Sequence, residues 1–424
     1  MSNNDLMVAG VDIGSSKTCA VILEKDSQTG KREVTGVGTS ANYGLRKGVV
    51  TNIEATLRSV ESAISGAELM SGRNVKSCWI GIGGSHVTGI PSRGAVAVRK
   101  TRENRSNSEA REISREDIKR VLDISREVMI PLDKDILEVI PQCYIVDGQR
   151  GFKDPVEMLA IRLEVESQII TCSTTGGLNL VKCVNRAGFK VSGMILQTRA
   201  TGTAVLLPGE ADLGVAIVDL GGGTTDIIMY FDGAPYAIAT IPAGGIQVTN
   251  DISVLKKVSV EYAEKIKLDA GCCWEPFLDV NNEILVPAIG DRKLINISRA
   301  EILSIIKPRV EEILKAVGQK IQENSVGRQL GAGIILTGGG ALLPGIAELA
   351  SEMFNLPVRV GIPRVDAVLA EDYQNPVYAT AIGIAMEGFI RQGEQENTVE
   401  LKTREKEAGS IIKKIGSWFH REIF

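Results

Sequence analysis

The sequence predicts an α/β protein of two duplicated lobes, with a small α+β subdomain inserted in the first and an amphipathic helix at the C-terminus. Three observations predict it. Asp12-Ile13-Gly14 and Asp219-Leu220-Gly221 each end a short apolar strand and open a second one, and they lie 219 − 12 = 207 residues apart in a chain of 424. Two similar hairpins half a chain apart mark a duplicated domain. A third glycine loop, Gly338-Gly339-Gly340, follows another apolar run, Ile334-Ile335-Leu336. Residues 410–424 then separate into an apolar and a basic face.

The chain is long enough for two or more domains with sizeable cores. Its 44% apolar and 24% charged content is ordinary for a soluble globular protein, and a net charge of −4 argues against nucleic acid as a partner. The 7 cysteines hold no Cys-x-x-Cys pair and only 2 histidines accompany them, so reduced thiols are expected rather than a zinc site. Met1 to Asp5 lacks the basic and apolar regions of a signal peptide, and no run approaches the roughly 20 apolar residues of a membrane span, so a cytoplasmic location is expected.

The first hairpin spans Leu6 to Leu23. The hydroxyls of Ser15, Ser16 and Thr18 and the ammonium of Lys17 would add donors for phosphate oxygens; standing alone, the stretch reads equally as a surface hairpin. It is not a Walker loop, because Ser16 holds the glycine position before Lys17. Residues 52–70 predict an amphipathic helix with Ile53, Leu57, Val60, Ile64 and Leu69 on or near one face. Val75 to Ile82 is a strand. The charged stretch from Arg99 to Arg115 is a solvated loop, and Ser114 caps a helix to about Met129. With 136–150 and 158–166 extended, Ser85 to Glu164 forms a small inserted module. Leu178 to Ala187 is a helix stopped by Gly188, and Val191 to Leu196 a strand. Gln197 then enters the next helix, either orienting a water or serving as an ordinary polar corner.

In the second hairpin, Gly221, Gly222 and Gly223 can present N–H groups in one direction, which suits phosphate. Asp219 and Asp226 flank it, as Mg²⁺ would require; the other reading is a glycine turn with solvated acids. A helix follows from Thr249 to Val258. Ser259 caps another, Val260 to Leu268, whose Glu264 and Lys267 share a face. They either grip a ribose and base or pair with each other. Strands within 283–297 flank a Gly290-Asp291 turn. A capping box at Ser298 and Glu301 opens the longest helix, to about Asn324, bent at Pro308. The third loop fails the G-x-G-x-x-G fingerprint because Leu343 takes its last glycine position. Its glycines let a flat ring or a phosphate lie against backbone. Tyr378 to Ala385 is a helix of small residues, suited to a close crossing.

In this order the elements resemble the actin/DnaK-type ATPase superfamily over residues 6–390. The phosphate-1 motif is Asp12 to Thr18, phosphate-2 is Asp219 to Asp226, the adenosine motif is Ile335 to Gly345, and connecting helices begin near Ala200 and Tyr378. The resemblance implies an actin-like fold with ATP and Mg²⁺ between the lobes. It implies Mg²⁺ held through waters by Asp12 and Asp219, and a water-orienting Gln197 that with Asp219 permits hydrolysis. It further implies phosphate contacts from Gly14, Ser15, Ser16, Lys17, Gly221, Gly222, Gly223, Thr224 and Thr225. Glu264 and Lys267 would meet the ribose and base, and Gly338, Gly339 and Gly340 the adenosine.

The tail has its own physics. Residues 391–409 read as a flexible linker. In a helix beyond it, Ile411, Ile412, Ile415, Trp418, Phe419 and Ile423 share a face, while Lys413, Lys414 and Arg421 lie off it and only Glu422 opposes them, a sum of 3 − 1 = +2. Such a helix is marginal in water but suits an anionic lipid interface, with about 1 kcal/mol per cation; docking on the protein's own body is the alternative. This tail, the insertion at 85–164 and the stretch Gly48-Val49-Val50-Thr51-Asn52, with Asn52 in place of the pattern's Asp, resemble the FtsA family of bacterial actin-like cell-division proteins. That resemblance implies a first-lobe core of 1–84, 165–200 and 365–390 and a second-lobe core of 201–242 and 302–364. The outer subdomain is then 243–301, the linker 391–409 and the membrane helix 410–424. It implies self-polymerisation, other division proteins as partners, and FtsZ tethered to the cytoplasmic face of the membrane at the division site. It also implies that the C-terminal peptide of FtsZ binds the outer subdomain, roughly 243–301 plus the start of the long helix, where Arg309 matches a position implicated in that contact; otherwise Arg309 is a solvated helix arginine. ATP is bound in this family more evidently than hydrolysed. An enzyme or adaptor on the same core competes, whether sugar kinase, chaperone or pilus-assembly ATPase. Against it stand the want of a second catalytic acid, of a β-rich domain after about residue 390, and the basic-aromatic tail.

Overall fold

Two sheets of the same order carry the two lobes. The computed structural model describes residues 6–26, 29–98, 110–278, 283–286, 295–325, 327–366 and 369–393. The first sheet runs Arg32–Ala41, Lys17–Lys25, Met7–Ile13, Ser77–Ile82, Lys190–Leu196. The second runs Ala234–Ile241, Thr225–Phe231, Val215–Leu220, Ile334–Thr337, Val358–Val360. In each, three antiparallel strands adjoin two parallel ones. Parallel partners need helical crossovers, and Ile53–Ser71 and Arg299–Asn324 supply them. Helices cover both faces, so the central strands are apolar without alternation: in Val215–Leu220 every residue but Asp219 is buried.

Local signals fix most boundaries. Asn52 does the capping that an Asp would do there, accepting the Ala55 amide at 3.1 Å, and Gly72 ends that helix in the left-handed region. Val60, Ala63, Ile64 and Ala67 form its buried stripe, but Leu69 is 88% exposed. Five residues beyond Ile64 is about 140° around the helix, outside the stripe. The next lobe-one helix begins at Thr174 rather than Leu178, because Ser173 accepts the Gly176 amide. The helix expected from Thr249 already begins at Gly245, and the one capped by Ser114 stops at Ser125 rather than Met129. The approach to Pro131 disfavours a longer run.

The inserted α+β subdomain is a four-stranded sheet, Gln149–Phe152, Lys134–Val146, Arg162–Ser173 and Thr88–Ala97, under the helix Arg115–Ser125. Val121, Val96, Tyr144, Leu163 and Val165 fill its core. Its long strands run on into the first lobe, where Ile140 and Ile170 join the lobe's own core. The subdomain also reaches the second lobe, where Gln142 donates to the Tyr236 carbonyl and Lys153 pairs with Asp212.

The helix Gln197–Val205 and a helix over 379–393 cross between the lobes. A Cβ on Gly383 would stand 1.8 Å from the Ala200 carbonyl oxygen, so only glycine permits the crossing. Among the described residues, no helix is long and apolar enough to cross a membrane. The Gly290-Asp291 turn, residues 99–109 of the charged stretch, most of the expected linker and the whole tail lie outside the described residues. The tail's Ile411, Ile412, Lys413, Lys414, Ile415, Trp418, Phe419, Arg421 and Ile423 are among them.

Candidate functional site

Both hairpins turn in the same way. The Gly14 amide donates to the Lys17 carbonyl at 2.9 Å, and the Gly221 amide to the Thr224 carbonyl at 3.0 Å. Ser15 and Ser16 stand at the first tip, Gly222 and Gly223 at the second. The tips meet: a Cβ on Gly222 would be 2.7 Å from Ser16 Oγ, and one on Gly223 2.8 Å from Ser15 Oγ. Each tip is braced from behind. Asn42 donates its side-chain amide to the Gly14 carbonyl and its backbone amide to the Ser16 carbonyl, both at 2.9 Å. In the second lobe the first amides of the helix Gly245–Lys256 do this work, Gly245 to Gly221 O at 2.9 Å and Ile246 to Gly222 O at 2.8 Å. These amides have no partner inside their own helix, so the contact satisfies them as it fixes the tip.

Three carboxylates gather beneath the tips. Asp12 Oδ1 accepts from Gln197 Nε2 at 2.6 Å, so the strand-to-helix corner does bring Gln197 to the first hairpin. Burial, and next the neighbouring Asp219, push Asp12 up to about 6, against the pull of Lys17 and Gln197. Burial also raises Asp219, which accepts from Thr380 Oγ1 at 2.8 Å. Asp226 is pushed up to about 6 by burial, although Thr240 and Thr224 donate to it at 2.6 and 2.7 Å and the Gly84 amide of the first lobe also holds it. Its oxygens are therefore engaged by the hairpin, the next strand and the first lobe, leaving Asp12 and Asp219 as the neighbouring pair. Two acids raised by burial, Asp12 further by Asp219, beside a ring of amides and hydroxyls suit a cation accompanied by an anionic ligand.

The fold turns two expected donors away. Thr18 accepts from Ser59 Oγ at 2.7 Å against the first-lobe helix, and Thr225 donates to the Ala243 carbonyl at 2.9 Å. Both are fully buried, because both faces of these strands are covered by packed protein. The Lys17 ammonium lies 2.6 Å from the Val377 carbonyl and over the Tyr378 ring, tying the first hairpin to the start of the second crossing helix.

The third loop closes on the same acids. Thr337 is paired opposite Asp219, and a Cβ on Gly338 (φ +79°) would lie 2.1 Å from Asp219 Oδ1. Gly340 leaves no room beside Leu220, whereas Gly339 faces open space. Glu264 and Lys267 pair at 2.7 Å, and Lys267 also reaches the Gly245 carbonyl and Thr249. The pair is thus formed, and it is formed beside the hairpin's brace. Arg309 sits elsewhere: it grips Asp251 through Nε at 2.6 Å and pairs with Glu312, so it is an anchored side chain rather than a solvated one. Sequence reasoning missed Thr201 and Thr380. The small residues around them signalled the crossing, but only the fold sets their hydroxyls against Asp219.

Comparison with known proteins follows the same lines. The profile of the family described as Cell division protein FtsA matches residues 216–383, and that of the SHS2 domain inserted in FTSA matches residues 84–171. The Cell division protein FtsA of Borreliella burgdorferi is 40% identical over 428 residues, covering 100% of both chains. Among solved structures, a PilM-PilN type IV pilus biogenesis complex superposes with a TM-score of 0.63 at 14% identity, covering 90% of this chain and 98% of that one. MreB 5 of Spiroplasma citri bound to AMPPNP gives 0.52 at 14% identity, covering 92% and 98%. These likenesses establish the actin-like fold.

Proposed function

The chain belongs to the FtsA family of cell-division proteins, and from that premise we propose that it is an ATP-binding, polymerising membrane tether for FtsZ filaments. The adenine nucleotide lies between the two hairpins and the third loop. Gly14, Ser15, Ser16 and Lys17 meet its phosphates from one side, and Gly221, Gly222, Gly223 and Thr224 from the other. Lys267 and Glu264 stand beside the ribose and base. Asp12 and Asp219 fit an accompanying Mg²⁺ held largely through waters and phosphate, since that ion keeps most of its own shell. When bound it would offset the charge that these acids and the phosphates share; Gln197 is placed to hold a water, with at most weak hydrolysis. The observation that carries this reading is the tip-to-tip meeting of Ser15-Ser16 with Gly222-Gly223 beside two partly buried acids. The nucleotide in the MreB 5 structure supports it.

The apolar and basic residues that a helix over 410–424 would separate support a seat at the cytoplasmic face of the cell membrane, and the family supports the division site. The outer subdomain of the second lobe, with Arg309 at its edge, receives the C-terminal peptide of FtsZ, and the assembled filament recruits other division proteins. Two measurements test this. Asp219→Ala should abolish Mg²⁺-dependent ATP binding; retained binding places the site elsewhere. Deleting 410–424 should leave ATP binding intact and abolish co-sedimentation with anionic liposomes; unchanged sedimentation refutes the tether. A pull-down with the FtsZ tail peptide separates this role from that of a pilus-assembly adaptor on the same fold.

A further inference from the structure

Asp219 is the point at which the clamp touches its hinge. Thr380 comes from the crossing helix over 379–393 and Thr201 from the crossing helix Gln197–Val205; both are buried, Thr201 to 1% and Thr380 to 7% exposure. Thr380 Oγ1 lies 2.8 Å from Asp219 Oδ2, Thr201 Oγ1 lies 3.5 Å from the same oxygen, and the two hydroxyls are 2.9 Å apart. Each hydroxyl has one proton. Thr380 gives its proton to the carboxylate, while the single proton of Thr201 has three acceptors in reach, the Gln197 carbonyl of its own helix at 3.0 Å, Thr380 and Asp219. The other carboxylate oxygen is fixed by Gly338 of the third loop, where no Cβ would fit. The helices that supply the hydroxyls touch backbone to backbone at Gly383 and Ala200, so any change in their crossing must move the threonines against each other.

We propose that Thr380, packed against Thr201, is the positioning residue for Asp219, holding the carboxylate in the one orientation in which it faces Mg²⁺–nucleotide. This rests on the reading of Asp219 as a metal-facing group. It explains why two hydroxyls are buried at a crossing otherwise built from small apolar residues. A hydroxyl there must pair to be tolerated; Thr380 finds the acid of the clamp, and Thr201 has Thr380 and the Gln197 carbonyl in reach.

The test is equilibrium binding of ATP with excess Mg²⁺ and with EDTA, for wild type, Thr380→Val, Thr380→Ser and Thr201→Val, each checked by near-ultraviolet circular dichroism. A hydrogen bond to a charged group predicts that Thr380→Val weakens Mg²⁺-dependent affinity about tenfold or more while changing affinity in EDTA little. Thr380→Ser keeps the donor and restores the affinity. Thr201→Val, one bond removed, loses about two- to threefold. Equal losses for Thr380→Val and Thr380→Ser, or equal losses with and without Mg²⁺, overturn the positioning role and leave the nucleotide site standing. Wild-type protein that binds ATP no better with Mg²⁺ than without overturns both. Should Thr380→Val not fold, Thr201→Val against Thr380→Ser carries the same comparison.

Discussion

The two hairpins share a turn and divide the chemistry. Residue for residue, 207 apart, Gly14 answers Gly221, Ser15 answers Gly222, Ser16 answers Gly223 and Lys17 answers Thr224. The tips meet crosswise: Gly222 faces Ser16 and Gly223 faces Ser15. Contacts of the form i to j with j to i are those of a two-fold axis, here an internal one left by duplication. The first hairpin brings side chains, two hydroxyls and an ammonium; the second brings bare backbone. A cleft between two side-chain tips would be crowded, and one between two glycine tips would lack a cation. The division lets two copies of one turn approach closely enough to enclose a ligand.

The acids diverge in the same spirit. In both lobes a glycine follows the parallel strand next to the hairpin: Gly83 after Ser77–Ile82 and Gly338 after Ile334–Thr337. A Cβ on Gly338 would meet Asp219 itself at 2.1 Å, while one on Gly83 would meet Gln197 Oε1 at 2.1 Å, and it is Gln197 that holds Asp12. The first lobe thus interposes a flexible amide where the second presses a carboxylate directly. Gly338→Ala meets both a fixed acid and a positive φ, so it should cost about 2–4 kcal/mol and remove Mg²⁺-dependent nucleotide binding. Gly83→Ala meets only the end of a side chain and should cost about 1 kcal/mol. Denaturant melts of both variants check the pair; equal losses would break the comparison.

A middle-sized effect comes from the charge of Asp12. Burial and Asp219 hold its carboxyl at about 6 in the fold, against 3.8 for the ordinary group. A raised folded value means that the native state binds the proton more tightly. The contribution to stability is full below about 3.8 and lost as pH rises through about 6. Without nucleotide, then, the protein should melt at a lower temperature at pH 7.5 than at pH 6. Asp12→Asn should remove about half of that slope, Asp226 keeping the rest, and stabilise the nucleotide-free protein at pH 7.5 by about 1–3 kcal/mol, while weakening Mg²⁺–ATP binding. Asp219→Asn should gain less, because Thr380 and Thr201 already offset part of the burial of Asp219. Calorimetric scans across that pH range decide it.

Much of this was legible in the sequence, and the rest was not for a definite reason. The three glycine loops and the duplicated order of strands follow from local pattern, because turn residues and apolar runs report their own conformation, whereas only the family resemblance brings Gln197 to the site. The contacts of Thr380 with Asp219 and of Lys17 with Val377 span 161 and 360 residues and carry no local pattern. The same holds for the ion cluster under the crossing helices, where Glu138 of the inserted sheet meets Arg199 and Arg391 and Arg199 also meets Glu387. Thr18 and Thr225 misled for the opposite reason. Their residue type fits phosphate, but both faces of these strands are covered, so their hydroxyls meet Ser59 and the Ala243 carbonyl, and a motif read as a string does not register what lies over each letter.

The smallest effect tests the contact from which the pseudo-symmetry is argued. Gly222→Ala places a methyl 2.7 Å from Ser16 Oγ, the movable end of a short side chain, so the tips should part slightly at a cost of about 0.5–1 kcal/mol. Ser16→Gly removes the obstacle. If the tips truly press on each other, the double variant Gly222→Ala/Ser16→Gly should recover most of that loss, a coupling of about 0.5 kcal/mol or more. By the crosswise rule, Gly223→Ala should be rescued by Ser15→Gly and not by Ser16→Gly. Additive losses in the matched pairs would mean that the tips are neighbours without being in contact. Rescue by the unmatched serine would mean that the two hairpins approach side by side instead of about a two-fold axis.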